Sequence, residues 1–270
     1  MADATPVAVI TGASAGIGEE LAHVFADHGH ALVLVARRAA QLKTLADTIE
    51  KRCRMRPHVI VADLGLPNAA ARIEDELREL GLEPQFLVNS AGFGLLGLAA
   101  DLDRAEQLAM IDLNIRVLTD LSLRFAESLV QHRGGILNVA SVAGFVPGPG
   151  MAVYHATKAY VLSLSEALHR ELGAQGVRVT ALCPGPVETG LSPVPVETEF
   201  QVRAGISQDL FPHLFSRRVE RVAREGYDGM MRGRRLVIPG SSNKVAARLV
   251  RLLPRRAARR LLRAVRSNSK

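Results

Sequence analysis

Seven short apolar runs, separated by longer segments of helical periodicity, restrict the fold of this chain more than any other feature. Val7–Thr11, Ala31–Ala36, His58–Ala62 and Phe86–Ser90 are rich in Val, Ile and Leu, and Ile136–Ser141, Val177–Leu182 and Leu236–Pro239 continue the series. Between them Gly18–Asp27, Gln41–Arg52, Ala69–Leu80, Leu102–Gln131 and Ala152–Leu172 read as helices. A continuously apolar strand needs cover on both faces, and helical crossovers between parallel strands supply it. Right-handed crossovers then give an α/β fold with a doubly wound parallel sheet. With 270 residues and 48% hydrophobic content the chain can fill one core. The expected organisation is a single domain over residues 1–240 and an extension over 241–270. The Pro- and Glu-containing stretch Leu191–Gln208 follows a strand end, where open α/β sheets hold their ligands. Residues 191–230 are therefore a candidate substrate lid, with an ordinary surface connection as the alternative.

Composition removes several classes. Aromatics make up only 4% and Trp is absent, which argues against a base-stacking nucleic-acid binder. Cys53 and Cys183 are too few for a disulfide framework, and neither they nor the histidines show metal-ligand spacing, so no metal is expected. A reducing cytoplasm is the expected compartment, with no targeting segment in the polar stretch Met1–Thr5 and no apolar run long enough to span a bilayer. The formal charge of +7 is unevenly divided. Residues 1–231 carry 21 Lys and Arg against 27 Asp and Glu, a balance of −6, whereas residues 232–270 carry 13 basic groups and no acid.

Thr11-Gly12-Ala13-Ser14-Ala15-Gly16-Ile17-Gly18 follows the first strand and opens the first helix. Glycines are needed where the backbone turns sharply, approaches a pyrophosphate, or lets helix and strand pack closely, and the helix N-terminus offers free N–H groups to the anion. The strand–turn–helix context makes this a Rossmann-type dinucleotide site. The second strand ends in Ala36-Arg37-Arg38 rather than in the acid that bonds a ribose 2′-OH. A guanidinium suits a 2′-phosphate in charge and geometry, and Ser14 can add a hydrogen bond, so NADP (NADPH) is the expected cofactor. Two solvated surface arginines are the plainer alternative.

Tyr154-His155-Ala156-Thr157-Lys158 puts Tyr154 and Lys158 on one helix face. An ammonium beside a phenol favours the phenolate, so Lys158 is expected to lower the Tyr154 pKa and fit it for proton exchange. Ser141 ends the preceding strand, from where its hydroxyl can hold the same substrate oxygen. His155 lies about 100° round the helix from Tyr154 and reads as surface or interface. Asp103 reads as a helix cap, and Cys183 as a small buried apolar residue. Phe93, Leu95, Leu96, Val142, Phe145 and Met151 flank these segments as pocket or core.

Together these motifs resemble the short-chain dehydrogenase/reductase family over roughly residues 5–240. The Gly loop matches at Gly12, Gly16 and Gly18, and Tyr154 and Lys158 match with Ser141 upstream. Asn89-Ser90-Ala91-Gly92 is similar to the family's Asn-Asn-Ala-Gly segment, with Ser90 as the departure. Asn114 aligns with the fourth catalytic residue, and Asp63-Leu64 with the adenine contact. Pro184-Gly185-Pro186-Val187-Glu188-Thr189 aligns with the segment that contacts the nicotinamide carboxamide. The resemblance implies hydride transfer between NADP(H) and a carbonyl or secondary alcohol. In it Tyr154 is the acid/base, Ser141 polarises the substrate oxygen, Lys158 bonds the nicotinamide ribose, and Asn114 holds a relay water. The implied cofactor set is Gly12, Ser14, Gly16, Ile17, Gly18, Arg37, Arg38, Asp63, Leu64, Asn89, Ala91, Gly92, Tyr154, Lys158, Pro184, Gly185, Val187 and Thr189. Ala15 stands where some NADP enzymes carry a further basic residue. A catalytically silent dinucleotide-binding regulator or scaffold is the alternative function.

The resemblance also implies a homodimer or homotetramer. Leu113, Val117, Leu121, Leu164 and Leu168 are either its contact or inner faces packed on the sheet. The tail departs from the family core. Arg248, Arg251, Arg255, Arg259 and Arg263 recur every three or four residues beside Val245, Leu249, Leu252, Leu261 and Val265, interrupted by Pro254. Residues 244–266 thus fit peripheral membrane contact, subunit packing, or no fixed partner; nothing in them reads nucleic acid.

Overall fold

The computed structural model describes residues 4–188 and 217–252. Seven parallel strands form one sheet in the order β3-β2-β1-β4-β5-β6-β9. They are β1 (Thr5–Thr11), β2 (Leu32–Ala36), β3 (His58–Val61), β4 (Leu82–Asn89), β5 (Gly135–Val139), β6 (Arg178–Leu182) and β9 (Leu236–Val237). A second, two-stranded pair joins β7 (Val187–Glu188) to β8 (Arg217–Arg218). In the main sheet Ala8 of β1 sits opposite Leu32 on one side and Phe86 on the other, so β1 is central. The chain runs outward to β3, returns, and continues through β4 on the other side. That reversal between β1 and β4 opens a crevice at the strand ends.

Period-two alternation along the strands splits the core into two layers. Ala8, Ile10, Leu34 and Val88 face α1 (Gly16–Asp27), α2 (Ala39–Cys53) and α8 (Val219–Met231). Val7, Val9, Val35 and Leu87 face the opposite layer, built from α3 (Ala69–Glu79), α5 (Val117–Arg124) and α7 (Ala152–Glu171). Phe25 is fully buried and meets Tyr227 and Phe86 edge-on at 4.8 and 5.7 Å, tying α1, α8 and β4 together. A buried aromatic of this kind contributes roughly 2–3 kcal/mol.

Two expectations are corrected, and one pair of alternatives is resolved. The segment read as one helix over 102–131 divides into α4 (Arg104–Ile111), a single π-turn (Asp112–Arg116), α5 and α6 (Ala126–Gln131). Val117, Leu121 and Leu168 are buried in the second layer, with Leu113 and Leu164 packed against it, so these five are inner faces. The end of the proposed lid, 219–230, is the crossover helix α8, with Val222, Ala223, Tyr227 and Met230 in the core. Residues 191–216 of that lid lie outside the described residues.

Helix α9 (Ser241–Leu252) packs on the body, with Ala247 joining Ala140, Cys183 and Ile238 in one buried cluster. Asp103 does cap α4, its carboxylate accepting from the Glu106 N–H at 2.8 Å. No helix among the described residues is long and apolar enough to cross a membrane.

Candidate active site

A cavity of about 930 Å³ occupies the crevice at the carboxyl ends of the strands. That lies at the upper end of the range for small-molecule sites. Gly12, Ser14, Gly16, Ile17, Arg37, Arg38, Asp63, Leu64, Ala91 and Gly92 line one part, and Ser141, Tyr154, Lys158, Pro184, Gly185 and Val187 the other. Thus sixteen of the residues singled out in the sequence converge from seven separate segments.

The phosphate end is built by the turn from β1 into α1. Gly16 adopts φ +58, and a Cβ there would meet nothing within 4 Å, so this turn borders open space. A Cβ on Gly18 would overlap the Gly12 carbonyl oxygen, which is why α1 can start against the loop only with glycine there. Ala15 provides no side-chain cap, leaving the first N–H groups of α1 to another acceptor. These features fit a dinucleotide pyrophosphate. Thr11 holds the floor: its hydroxyl donates to the Val88 carbonyl at 3.2 Å and accepts from the Ser90 and Ala91 N–H groups at 3.1 and 3.2 Å. Asn89 itself does not line the cavity. Its amide donates to Ser122 and Asn138 at 3.1 and 2.9 Å inside the core, so it fixes the β4–β5 ends from behind.

At the far edge of this end the two arginines differ. Arg38 lays its guanidinium on Ser14, donating to the Ser14 hydroxyl at 2.9 and 3.2 Å and to its carbonyl at 3.2 Å. Arg37 is more than half exposed and stands 3.9 Å from the Asp63 carboxylate. Such an exposed pair contributes little to stability and leaves Arg37 able to turn toward a ligand.

At the chemical end, Tyr154 and Lys158 project from α7 and Ser141 from the end of β5. A side-chain hydrogen bond joins Ser141 to Tyr154. The Ser141 hydroxyl also accepts from the Ala143 N–H at 3.1 Å, which fixes its direction. Lys158 is 6% exposed; its ammonium donates to the Val139 carbonyl at 2.8 Å and lies 5.8 Å from the Tyr154 ring centre.

The expected low phenol pKa is not found. Burial pushes Tyr154 up to about 12, only partly offset by the Ser141 hydrogen bond, and burial lowers Lys158 to about 8. Desolvation opposes both charges, and at this separation the ammonium does not overcome it. At neutral pH the Tyr154 phenol therefore keeps its proton.

Asn114 sits on the π-turn rather than in a regular helix. Its amide nitrogen donates to the Phe93 carbonyl and the Thr157 hydroxyl at 2.9 and 3.0 Å, and its oxygen accepts from the Phe93 N–H at 3.1 Å. A Cβ on Gly92 would lie 2.8 Å from that oxygen, so glycine there makes room for the Asn114 amide. Thr189 lies outside the described residues. Among the described residues no group of three or more His, Cys, Asp and Glu could hold a metal ion.

The chain matches the model of the short chain dehydrogenase family over residues 6–199. It belongs to that family. A relative among the short-chain dehydrogenases, sulfoacetaldehyde reductase 2 of Chromohalobacter salexigens, is 39% identical over 186 residues, covering 68% of this chain and 73% of its own. The solved short-chain dehydrogenase from Sphingobium yanoikuyae in complex with NADPH is 35% identical, with a TM-score of 0.79 and coverage of 96% and 95% of the two chains. The bulky-bulky ketone specific alcohol dehydrogenase from Comamonas testosteroni is 30% identical, with a TM-score of 0.72 and coverage of 92% and 95%.

Several wall residues of this short-chain dehydrogenase are not singled out by sequence. Glu19, Glu20 and Glu220 line the cavity, and burial raises the pKa of Glu19 and Glu20, with Glu220 raising Glu20 further. His155 is corrected: it is half-buried on the cavity wall, and its Nδ1 donates to the Val146 carbonyl at 2.8 Å. Gly148 makes room for its ring, which a Cβ there would overlap. Of the apolar candidates, Phe93, Val142 and Met151 line the cavity, while Leu95, Leu96 and Phe145 do not.

Proposed function

We propose that this oxidoreductase is an NADP(H)-dependent reductase of apolar carbonyls, equally able to run the reverse oxidation of secondary alcohols. The reading is carried by one observation: the Ser141–Tyr154–Lys158 group opens into the same cavity as the glycine turn. The bound dinucleotide would supply or accept the hydride. Gly12, Gly16 and Ile17 would receive its pyrophosphate, and Arg37, Arg38 and Ser14 its 2′-phosphate. Tyr154 gives its hydroxyl proton to the carbonyl oxygen of the substrate. Ser141 donates a hydrogen bond to that oxygen and holds it against Tyr154, and Lys158 returns a proton to the phenolate.

For the substrate, Phe93, Leu113, Val142, Val146, Met151 and Pro186 give the chemical end an apolar wall. Besides Tyr154 and Lys158, His155 is an ionisable side chain of the cavity lining, as are Glu20 and Glu220. Such a lining favours a hydrophobic ketone or aldehyde over the small anion in the name of the sulfoacetaldehyde reductase. NADPH in the Sphingobium relative supports the same cofactor. We assign the protein to the cytoplasm as a homodimer or homotetramer, with the exposed Leu108, Ile111, Leu123 and Tyr160 as contact residues.

The test is turnover of a panel of hydrophobic ketones with NADPH by wild type and Tyr154→Phe. The variant should lose about 10²–10⁴-fold in kcat while still binding NADPH. Unchanged turnover removes Tyr154 as the proton donor, and no turnover in the wild type favours a silent binder. Cofactor choice is read by fluorescence titration. Arg38→Ala and Arg37→Ala should each weaken NADPH by about tenfold or more and leave NADH unchanged. A wild type preferring NADH would overturn the arginine argument.

A further inference from the structure

Residues 232–270 hold 13 Lys and Arg with no acid and no aromatic residue, against a body of net charge −6. Helix α9 ends this segment's described part and shows two faces. Asn243 and Ala247 turn inward, only 3% and 5% exposed. Val245 and Leu249, each two positions on and so about 200° round the helix, stand 55% and 58% exposed. Being four residues apart, they form one outward apolar stripe. Lys244 beside them is half exposed and stands 4.0 Å from the Glu225 carboxylate. In the sequence beyond, Arg255, Arg259 and Arg263 repeat every four residues with Leu261 and Val265 among them.

We propose that the outward stripe of α9, with the basic segment that follows it, docks on an anionic lipid surface. The partner must be polyanionic and must also accept Val245 and Leu249. A nucleic acid offers no hydrocarbon to them, and the segment has no aromatic side chain on which a base could stack. A second copy of the chain would present its net-negative body, but two apolar side chains fall far short of the area of a stable protein interface. A bilayer interface takes a narrow stripe flanked by cations, and each Lys or Arg near anionic headgroups adds roughly fivefold in affinity. The helix need not leave the body to dock. Arg217 donates to the Ser242 hydroxyl at 3.1 Å, and the Asn243 amide packs against Gly185, where a Cβ would lie 2.7 Å from it. The docked helix therefore stays attached to the wall of the cavity, which suits a lipid-soluble substrate.

Co-sedimentation of the full chain with phosphatidylcholine vesicles, with and without phosphatidylglycerol, tests the proposal. Binding is expected only to the anionic vesicles and should weaken as NaCl is raised. Val245→Asn with Leu249→Asn should weaken it about tenfold or more, and Arg259→Gln with Arg263→Gln similarly. Both double variants should keep the wild-type circular dichroism and melting temperature, separating lost docking from lost fold. Equal sedimentation with both vesicle types, or no change in both double variants, overturns the proposal. So does wild-type self-association in lipid-free sedimentation that Val245→Asn/Leu249→Asn abolishes, which assigns the stripe to a second copy. Binding to a DNA duplex without binding to anionic vesicles overturns it as well.

Discussion

Burial opposes charge on both members of the Tyr154–Lys158 pair, and the two respond to pH in opposite senses. Lys158 is lowered from 10.5 to about 8, so below about 8 both folded and unfolded chains hold its proton and stability does not depend on it. Between about 8 and 10.5 the unfolded chain keeps a proton that the folded chain has released, so stability rises with pH. Tyr154, raised from 10 to about 12, acts oppositely above 10, where the folded chain retains the proton and stability falls. Lys158→Met should therefore lose a rise of about 2 kcal/mol between about pH 7.5 and about pH 9.5. Thermal melts of both proteins at those two pH values read it as a difference, and parallel behaviour would refute the assignment. Tyr154 and Lys158 are legible in the sequence because a spacing of four puts them on one helix face, and Ser141 because the resemblance to a known family marks it upstream of them. The direction of their pKa shifts is not, because desolvation depends on what the rest of the chain stacks above them.

At the level of elements, alternation of apolar strands and helices suffices to give the sheet, since each strand is covered on both faces by the segments that flank it. Helix α8 escapes the same reasoning. Its sequence carries Gly226 and Gly229, each of which costs about 1 kcal/mol of helix propensity relative to alanine. Packing explains them: a Cβ on Gly226 would lie 2.9 Å from Leu182, and one on Gly229 would overlap Val237. The glycines let α8 lie directly on β6 and β9, so a tertiary demand overrides the local one. Gly229→Ala should thus destabilise by about 1–3 kcal/mol despite its better propensity, read as a lower denaturant midpoint at unchanged slope. A stabilised variant would show that α8 does not approach the sheet this closely. The π-turn at Asn114 is hidden for a related reason. An extra backbone residue per turn leaves no mark on side-chain periodicity this short, yet it brings the Asn114 amide between Phe93 and Thr157.

For the molecule as a whole, the sharp change in charge near residue 232 suggests a detachable tail, but the packing divides the chain elsewhere. Ala247 and Asn243 are buried, Asn243 donates to the Pro239 carbonyl at 3.1 Å, and Ile238 and Cys183 lie beneath α9. Sequence shows charge and periodicity in this region equally well on either side of residue 252, whereas only the contacts show that the body includes α9. Two truncations separate the alternatives. A chain ending at residue 252 keeps every described contact and should melt with the full-length protein. A chain ending at residue 240 uncovers Ile238 and Cys183 and removes the amide that packs on Gly185. The uncovered area is worth about 2–3 kcal/mol, or about 5–10 °C in melting temperature for a body of this size. Because Gly185 lines the cavity, the shorter chain should also bind NADPH more weakly, while the longer one binds as the full chain does. Equal melting and equal NADPH affinity of the two truncations would show that α9 belongs to the tail rather than to the enzyme.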